Sequence, residues 1–199
     1  MSMRIISWEE YTNKNTHSLF PIPYSLSVSV GVFDGVHKGH QALIQHICGS
    51  PFLPAIVTFI QNPAKILSPA PSGKNISSIV TLDQKLKIFE SLGIELTVLI
   101  DFSEKFSKIK GRSFVDSLLG CQPVGLIAIG SNFRCGNRLD TGAKEIKRIA
   151  EDRGIETWIA EPVMDKGRPV SSSRIRAALA AGRIAEAERL LGRTLYTGE

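Results

Sequence analysis

His37 and His40 stand three positions apart in Gly31-Val-Phe33-Asp34-Gly35-Val-His37-Lys-Gly39-His40. Two imidazoles so spaced can donate hydrogen bonds into one space, and glycines at 31, 35 and 39 let backbone come close to a ligand. The glycine spacing matches neither Gly-x-x-x-x-Gly-Lys-Ser/Thr nor Gly-x-Gly-x-x-Gly. A second chemical cluster is Ser171-Ser172-Ser173-Arg174-Ile-Arg176. Helix N–H groups, hydroxyls and a guanidinium together make a phosphate cradle. Ordinary N-capping explains one serine but not three followed by two arginines. No carboxylate pair accompanies either cluster. The chemistry on offer is anion binding and charge stabilisation, not general-base catalysis. Zinc fits less well, because His37 and His40 lack a third ligand and His46 and Cys48 fall on or beyond the following helix.

The elements that position these residues are legible around them. Leu26–Val30 alternates apolar residues with serine, the period of a strand. In Gln41–Ile47, Leu43, Ile44 and Ile47 share one helical face. The glycine segment is therefore a strand-to-helix turn, and the helix start it opens favours anions. Asp34 in that turn is either a residue bonding backbone N–H groups or a substrate ligand. Pro54–Phe59 is a second apolar strand, which makes a parallel βαβ unit. Ile60–Val80 is long, irregular and proline-rich, and its place after a central strand predicts a lid.

Farther on, Thr81-Leu-Asp-Gln84 is a capping box for a helix over Leu82–Leu92 stopped by Gly93. Ile94–Ile100, Val124–Ile129 and Ile155–Ala160 are predicted strands. Phe102–Leu119 reads as one or two helices broken near Gly111, and Gly142–Arg153 as another. A helix from the serine cluster to Ala181 precedes a last one carrying Ile184, Ala187, Leu190 and Leu191. Met3–Ile6 is a short edge strand, and Trp8–Tyr24 a polar approach to the first central strand. This alternation predicts an α/β, doubly wound, mostly parallel Rossmann-like sheet with a helical C-terminal cap.

The 199 residues include 43% hydrophobic and 22% charged, an ordinary globular balance. Lysine and arginine number 24 against 19 acidic residues, and the net charge of +5 suits a ligand with several phosphates. Basic residues are dispersed and only 7% of the chain is aromatic, which argues against nucleic acid. Three cysteines, Cys48, Cys121 and Cys135, form no Cys-x-x-Cys and no expected disulfide. The absence of an apolar signal core or membrane-length run predicts a cytoplasmic location and no membrane partner. The sequence specifies no oligomeric state.

His-x-Gly-His is the signature of a nucleotidyltransferase superfamily. The longer Gly31-x-Phe33-Asp34-Gly35-x-His37-x-Gly39-His40 resembles the FMN adenylyltransferase module of prokaryotic bifunctional riboflavin kinase/FAD synthetases. The family's Ser-Ser-Thr-x-x-Arg segment, which holds the ATP phosphates, is matched by Ser171–Arg176 with Ser173 in the threonine place. Val57-Thr-Phe59 with Pro63, Thr81–Lys85, Gly130-Ser-Asn132-Phe133-Arg134-Cys135-Gly136 and Ala187–Arg193 also have counterparts. The resemblance covers essentially the whole chain. It implies that FMN attacks ATP to give FAD and pyrophosphate, with Mg²⁺ accompanying ATP. It places His37, His40, Arg176 and Asn132 at the reacting centre, and Gly31, Phe33, Asp34, Gly35, Gly39, Ser172 and Ser173 on ATP. Pro63, Phe133, Gln61 and Cys135 fall on the FMN side. Two departures lie there: Gln61-Asn62 replaces Pro-His, and Cys135 replaces an aromatic. They keep open an adenylyl- or cytidylyltransferase for another acceptor, phosphopantetheine or nicotinamide mononucleotide. The chain stops at Glu199 without a Pro-Thr-Ala-Asn motif. The expectation is one adenylyltransferase domain over residues 1–199, with no riboflavin kinase domain.

Overall fold

The computed structural model describes residues 2–13, 25–64 and 78–195. In chain order the main elements are β1 (Arg4–Ser7), α1 (Trp8–Thr12), β2 (Leu26–Val30), α2 (Lys38–Cys48), β3 (Leu53–Phe59), α3 (Leu82–Ser91) and β4 (Leu96–Ile100). They continue with α4 (Glu104–Ser107), α5 (Gly111–Gly120), β5 (Val124–Gly130), β6 (Arg134–Cys135), β7 (Thr141–Gly142), α6 (Ala143–Glu151) and β8 (Glu156–Ala160). A hairpin of β9 (Met164–Asp165) and β10 (Arg168–Pro169) leads to α7 (Ser172–Ala180) and α8 (Ile184–Leu191).

Six strands form one parallel sheet in the order β1-β4-β3-β2-β5-β8. The chain winds outward from β2 through β3 to β4, then crosses back to β5 and β8. Strand order therefore reverses between β2 and β5, and ligands of open α/β sheets sit at the carboxyl ends beside such a point. The glycine turn leaves the end of β2, and Gly130–Gly136 leaves the end of β5.

Both sheet faces are covered. Trp8, Phe114, Leu118 and Ile146 pack with Val28, Val57, Val98 and Ile127 on one face. Ile44, Ile47, Ile88 and Phe89 pack with Ile56 and Leu126 on the other. Leu26–Val30 is the predicted strand, and its alternating serines, Ser27 and Ser29, are fully buried as well. A central parallel strand has no solvent face. Small serines let α2 lie close, and the Ser27 hydroxyl donates to Ile47 O at 2.9 Å.

The Thr81–Gln84 capping box is present, and α5 begins at Gly111 as the break predicted. Trp8–Thr12 corrects the polar approach: it is a short helix with its own capping box from Ser7 and Glu10. Its Tyr11 hydroxyl donates to Leu118 O at 2.7 Å. Of the predicted lid, residues 65–77 lie outside the described residues. The helical C-terminal cap is α7 packed on α8 around Val170, Ile175, Ala178, Ala187, Leu190 and Leu191, with Ile79 against them.

Candidate active site

Between β2 and α2 the chain turns through left-handed backbone at Phe33 (φ 51°), Gly35 (77°) and Val36 (41°). Glycine adopts that conformation freely; phenylalanine and β-branched valine do so under strain. Complete burial of Phe33 and Val36 holds them there. The Phe33 ring meets Phe89 edge-on at 5.6 Å and His40 at 5.0 Å. His37 is the N-cap of α2, yet its side chain caps nothing. Its imidazole lies flat on that of His40, centroids 3.6 Å apart and planes 16° apart. A Cβ on Gly39 would come within 3.2 Å of the His37 ring, and one on Gly31 within 3.2 Å of Phe33. The Nδ1 atoms of both histidines are buried with no hydrogen-bond partner among the described residues. Unpartnered buried nitrogens beside an open helix start suit an acceptor that arrives with a ligand.

The serine–arginine cluster reaches this turn. The Ser172 hydroxyl donates to Asp34 O at 2.8 Å, and Arg176 Nη1 to Asp34 Oδ2 at 2.6 Å. Asp34 Oδ1 accepts from Ile79 N at 2.9 Å. Asp34 thus knots the turn, α7 and the segment before α3. It bonds backbone, as one of its two readings expected, and also pairs with Arg176. Ser171 caps α7 by accepting from Arg174 N at 3.3 Å. Ser173 is exposed on the first turn. Arg174 points away, into Asp165 at 2.5 Å, and pins the β9–β10 hairpin together with Arg189 at 3.0 Å. From beyond α8, Arg193 donates to Gly35 O at 2.7 Å and Val36 O at 3.2 Å. Gln41 Nε2 joins Val36 O to Leu191 O at 2.9 and 2.7 Å.

On the other side of His40 lies a cavity of about 590 Å³. Its walls include Phe33, Phe59, Phe102, Phe106, Phe114 and Phe133, with His40 and Asn132 at the sheet edge. Gly31, Pro63 and Cys135 also line it. Burial, with Asp140 adding, pushes the Cys135 thiol up to about 12, so it is a neutral wall atom. Gln61 does not line this cavity: its amide donates to Asp101 Oδ1 at 3.3 Å and Phe102 O at 3.5 Å. These hydrogen bonds direct its side chain toward Asp101 and Phe102. Asn62 accepts from Ala64 N at 3.0 Å and faces a separate hollow.

Sequence reasoning missed Lys85 as a site residue, though a signal existed. It shares a helical face with Ile88 and Phe89, an apolar stripe where a lysine is out of place. Among the described residues no three His, Cys, Asp or Glu side chains gather to hold a metal ion. Asp34, the carboxylate nearest the histidines' turn, already has both oxygens engaged. The described donors thus offer no cluster for a resident Mg²⁺.

Burial, with Arg193 adding to it, lowers His37 from 6.5 to about 4. Burial likewise holds His40 well below the usual imidazole range, helped by His37 and Lys85. Both rings are neutral at pH 7. Between pH 6.5 and 4 the unfolded chain binds a proton that folded His37 refuses, so stability rises with pH across that window. It is lost on acidification, at most about 1.4 kcal/mol per pH unit for this group. Replacing His37 with asparagine should shrink the difference in denaturation midpoint between pH 4.5 and 7. An acid loss as large as the wild type's would mean that His37 is not buried as described.

A family model for FAD synthetase matches residues 21–174. The chain is 30% identical over 169 residues to the bifunctional riboflavin kinase/FMN adenylyltransferase of Listeria monocytogenes, covering 83% of this chain and 53% of that one. The protein of the same name from Buchnera aphidicola subsp. Schizaphis graminum is 28% identical over 186 residues, covering 90% and 59%. The chain thus spans a little over half the length of these relatives. Among solved structures, a Streptococcus pneumoniae protein described as a macrolide-efflux protein superposes with a TM-score of 0.76 at 29% identity, over 86% of this chain and 56% of that one. A pantoate-β-alanine ligase from Francisella tularensis, at 14% identity and a TM-score of 0.60 over 100% and 82%, shares the fold alone. The six-stranded parallel sheet, the glycine turn and serine–arginine cluster meeting at Asp34 and these matches agree, and the chain belongs to the FAD synthetase family.

Proposed function

We propose that this chain transfers AMP from ATP to the phosphate of FMN, giving FAD and pyrophosphate. The observation that carries the reading is an aromatic-lined cavity whose wall includes His40, stacked on His37, on the turn that Arg176 reaches through Asp34. A planar flavin ring suits such walls, and about 590 Å³ lies within the size range of small-ligand sites. An FMN phosphate oxygen forms a bond to the α-phosphorus of ATP while the bond from that phosphorus to the bridging oxygen of pyrophosphate breaks. The nucleophile is mostly dianionic at neutral pH and needs no base. His37 and His40 donate N–H to the phosphates at the reacting centre. Ser172, Ser173 and Arg176 hold the triphosphate, with Gly35 and Gly39 allowing close backbone approach. Asn132, exposed at the end of β5, orients phosphate from the cavity side. Pro63, Phe133 and Cys135 contact the flavin. Mg²⁺ enters as part of the ATP substrate, through phosphates and water.

No described helix is long and apolar enough to cross a membrane, and the three cysteines are unpaired. A cytoplasmic reaction in a reducing setting fits both. The test is incubation of the chain with ATP, Mg²⁺ and either FMN or riboflavin, followed by chromatography. FAD from FMN, and no FMN from riboflavin, is expected. Failure to make FAD while ATP binding is intact would sink the reading.

A further inference from the structure

We propose that Lys85 is a positioning residue of the nucleotide site: its ammonium ties the turn carrying His37 and His40 to the end of β3 and stands as a fixed cation behind those imidazoles. Lysines are rarely buried, yet Lys85 is only 7% exposed. Its three N–H groups meet three acceptors: Phe59 O at 2.9 Å, Thr58 Oγ1 at 3.1 Å and Val32 O at 3.4 Å. The Thr58 hydroxyl in turn donates to Val32 O at 3.2 Å. One buried charge therefore closes a triangle among α3, β3 and the glycine turn. The same face of α3 supplies Phe89, which meets Phe33, which meets His40. Helix α3 thus holds consecutive residues of the turn twice, Val32 by charge and Phe33 by ring packing. The capping box at Thr81 fixes the start of α3 and leaves Lys85 little freedom to swing out.

A purely structural role would not need a charge, since a buried ammonium costs desolvation that a methionine of similar length does not. What the charge adds is a pre-set field where anions are expected to lie. The ionisable groups that its charge acts on are Asp34 in the turn and His40 of α2. Asp34 favours the ammonium, which burial draws down to about 8, leaving it mostly charged at neutral pH. That charge helps keep His40 unprotonated.

The turnover arm of the test rests on adenylyl transfer to FMN; the histidine titration does not. The full chain carrying Lys85→Met or Thr58→Val is compared with wild type. Three readouts are taken: thermal unfolding, imidazole titration by NMR without substrate, and steady-state turnover with ATP and FMN. For Lys85→Met we expect a folded protein in which His40 protonates at higher pH than in wild type. Its kcat should fall roughly tenfold to a hundredfold, with the KM for FMN held within about twofold. Wild-type kcat should also fall as pH rises through about 8, and this limb should vanish in Lys85→Met. Thr58→Val keeps the charge, so His40 should titrate as before while kcat drops about threefold to tenfold. Wild-type turnover or an unmoved His40 titration in folded Lys85→Met overturns the proposal. If that variant does not fold, wild-type kcat in Thr58→Val overturns it. A wild type that makes no FAD, with the His40 shift still seen in Lys85→Met, sinks the FMN reading and upholds Lys85.

Discussion

Replacing His40 with alanine is expected to lower kcat for FAD formation by roughly a hundredfold to a thousandfold, the scale of losing one preorganised donor to developing charge. His40 lies on the wall between the phosphate motifs and the aromatic cavity. It is stacked on His37 and met edge-on by Phe33, so its ring is held from two sides before any ligand arrives. Preorganisation is what makes such a donor effective, because no reorganisation remains for the moment of reaction. Loss of the ring should leave a void beside Phe33 and cost stability as well, on the order of 1–3 kcal/mol. His40→Asn separates the two effects, since it keeps a donor near the same place. Equal kcat in the alanine variant and wild type would remove His40 from the mechanism.

The neutrality of both rings sets the mode of action. Two stacked imidazolium ions would repel, and burial opposes charging either one. An arriving phosphate reverses that balance, because an anion within hydrogen-bond reach favours protonated histidine. ATP binding should therefore take up protons below neutrality, where His37 lies at about 4 without ligand. Calorimetry in two buffers of different ionisation enthalpy measures that uptake.

Much of this site is legible from residue types at fixed spacing. The glycine turn and the serine–arginine cluster were each readable locally, and their meeting followed from the strand order that βαβ alternation imposes. The central strands were readable because buried apolar runs bounded by glycine and proline have few alternatives. Three things were not. The resemblance puts Gln61 on the flavin side in the place of the family's Pro-His, but position in sequence does not say which way a side chain turns at a strand end. The hydrogen bond to Asp101 decides that, across 40 residues. The β6–β7 and β9–β10 pairs are two residues a side, too short for any periodicity. Lys85 stood out on the apolar stripe of α3, but its partners and the phenylalanine-lined cavity required tertiary structure, because they come from separate elements.

Arg176→Ala should be the most damaging change on the ATP side. Its guanidinium pairs with Asp34 at 2.6 Å, and Asp34 is 7% exposed. The pair keeps an arginine at the proposed phosphate site without leaving a buried carboxylate alone. Charge-assisted hydrogen bonds to phosphate are worth about 1.5–3 kcal/mol each. A bidentate contact therefore predicts a fall in kcat/KM for ATP of roughly a hundredfold or more. Removing the arginine also strands Asp34, but its other oxygen still accepts from Ile79 N and the arginine itself is partly solvated. The stability cost should stay near 1–2 kcal/mol, below that of breaking a fully buried pair. Arg176→Lys keeps charge without the fork and should recover only part of the loss. Asp34→Asn should act in the opposite sense on binding: it retains an acceptor for Ile79 N, releases the guanidinium, and so tightens ATP. Parallel ATP titrations of the three variants decide the matter. If Asp34→Asn weakens ATP as much as Arg176→Ala does, the carboxylate is itself a ligand contact and the arginine is not held in reserve.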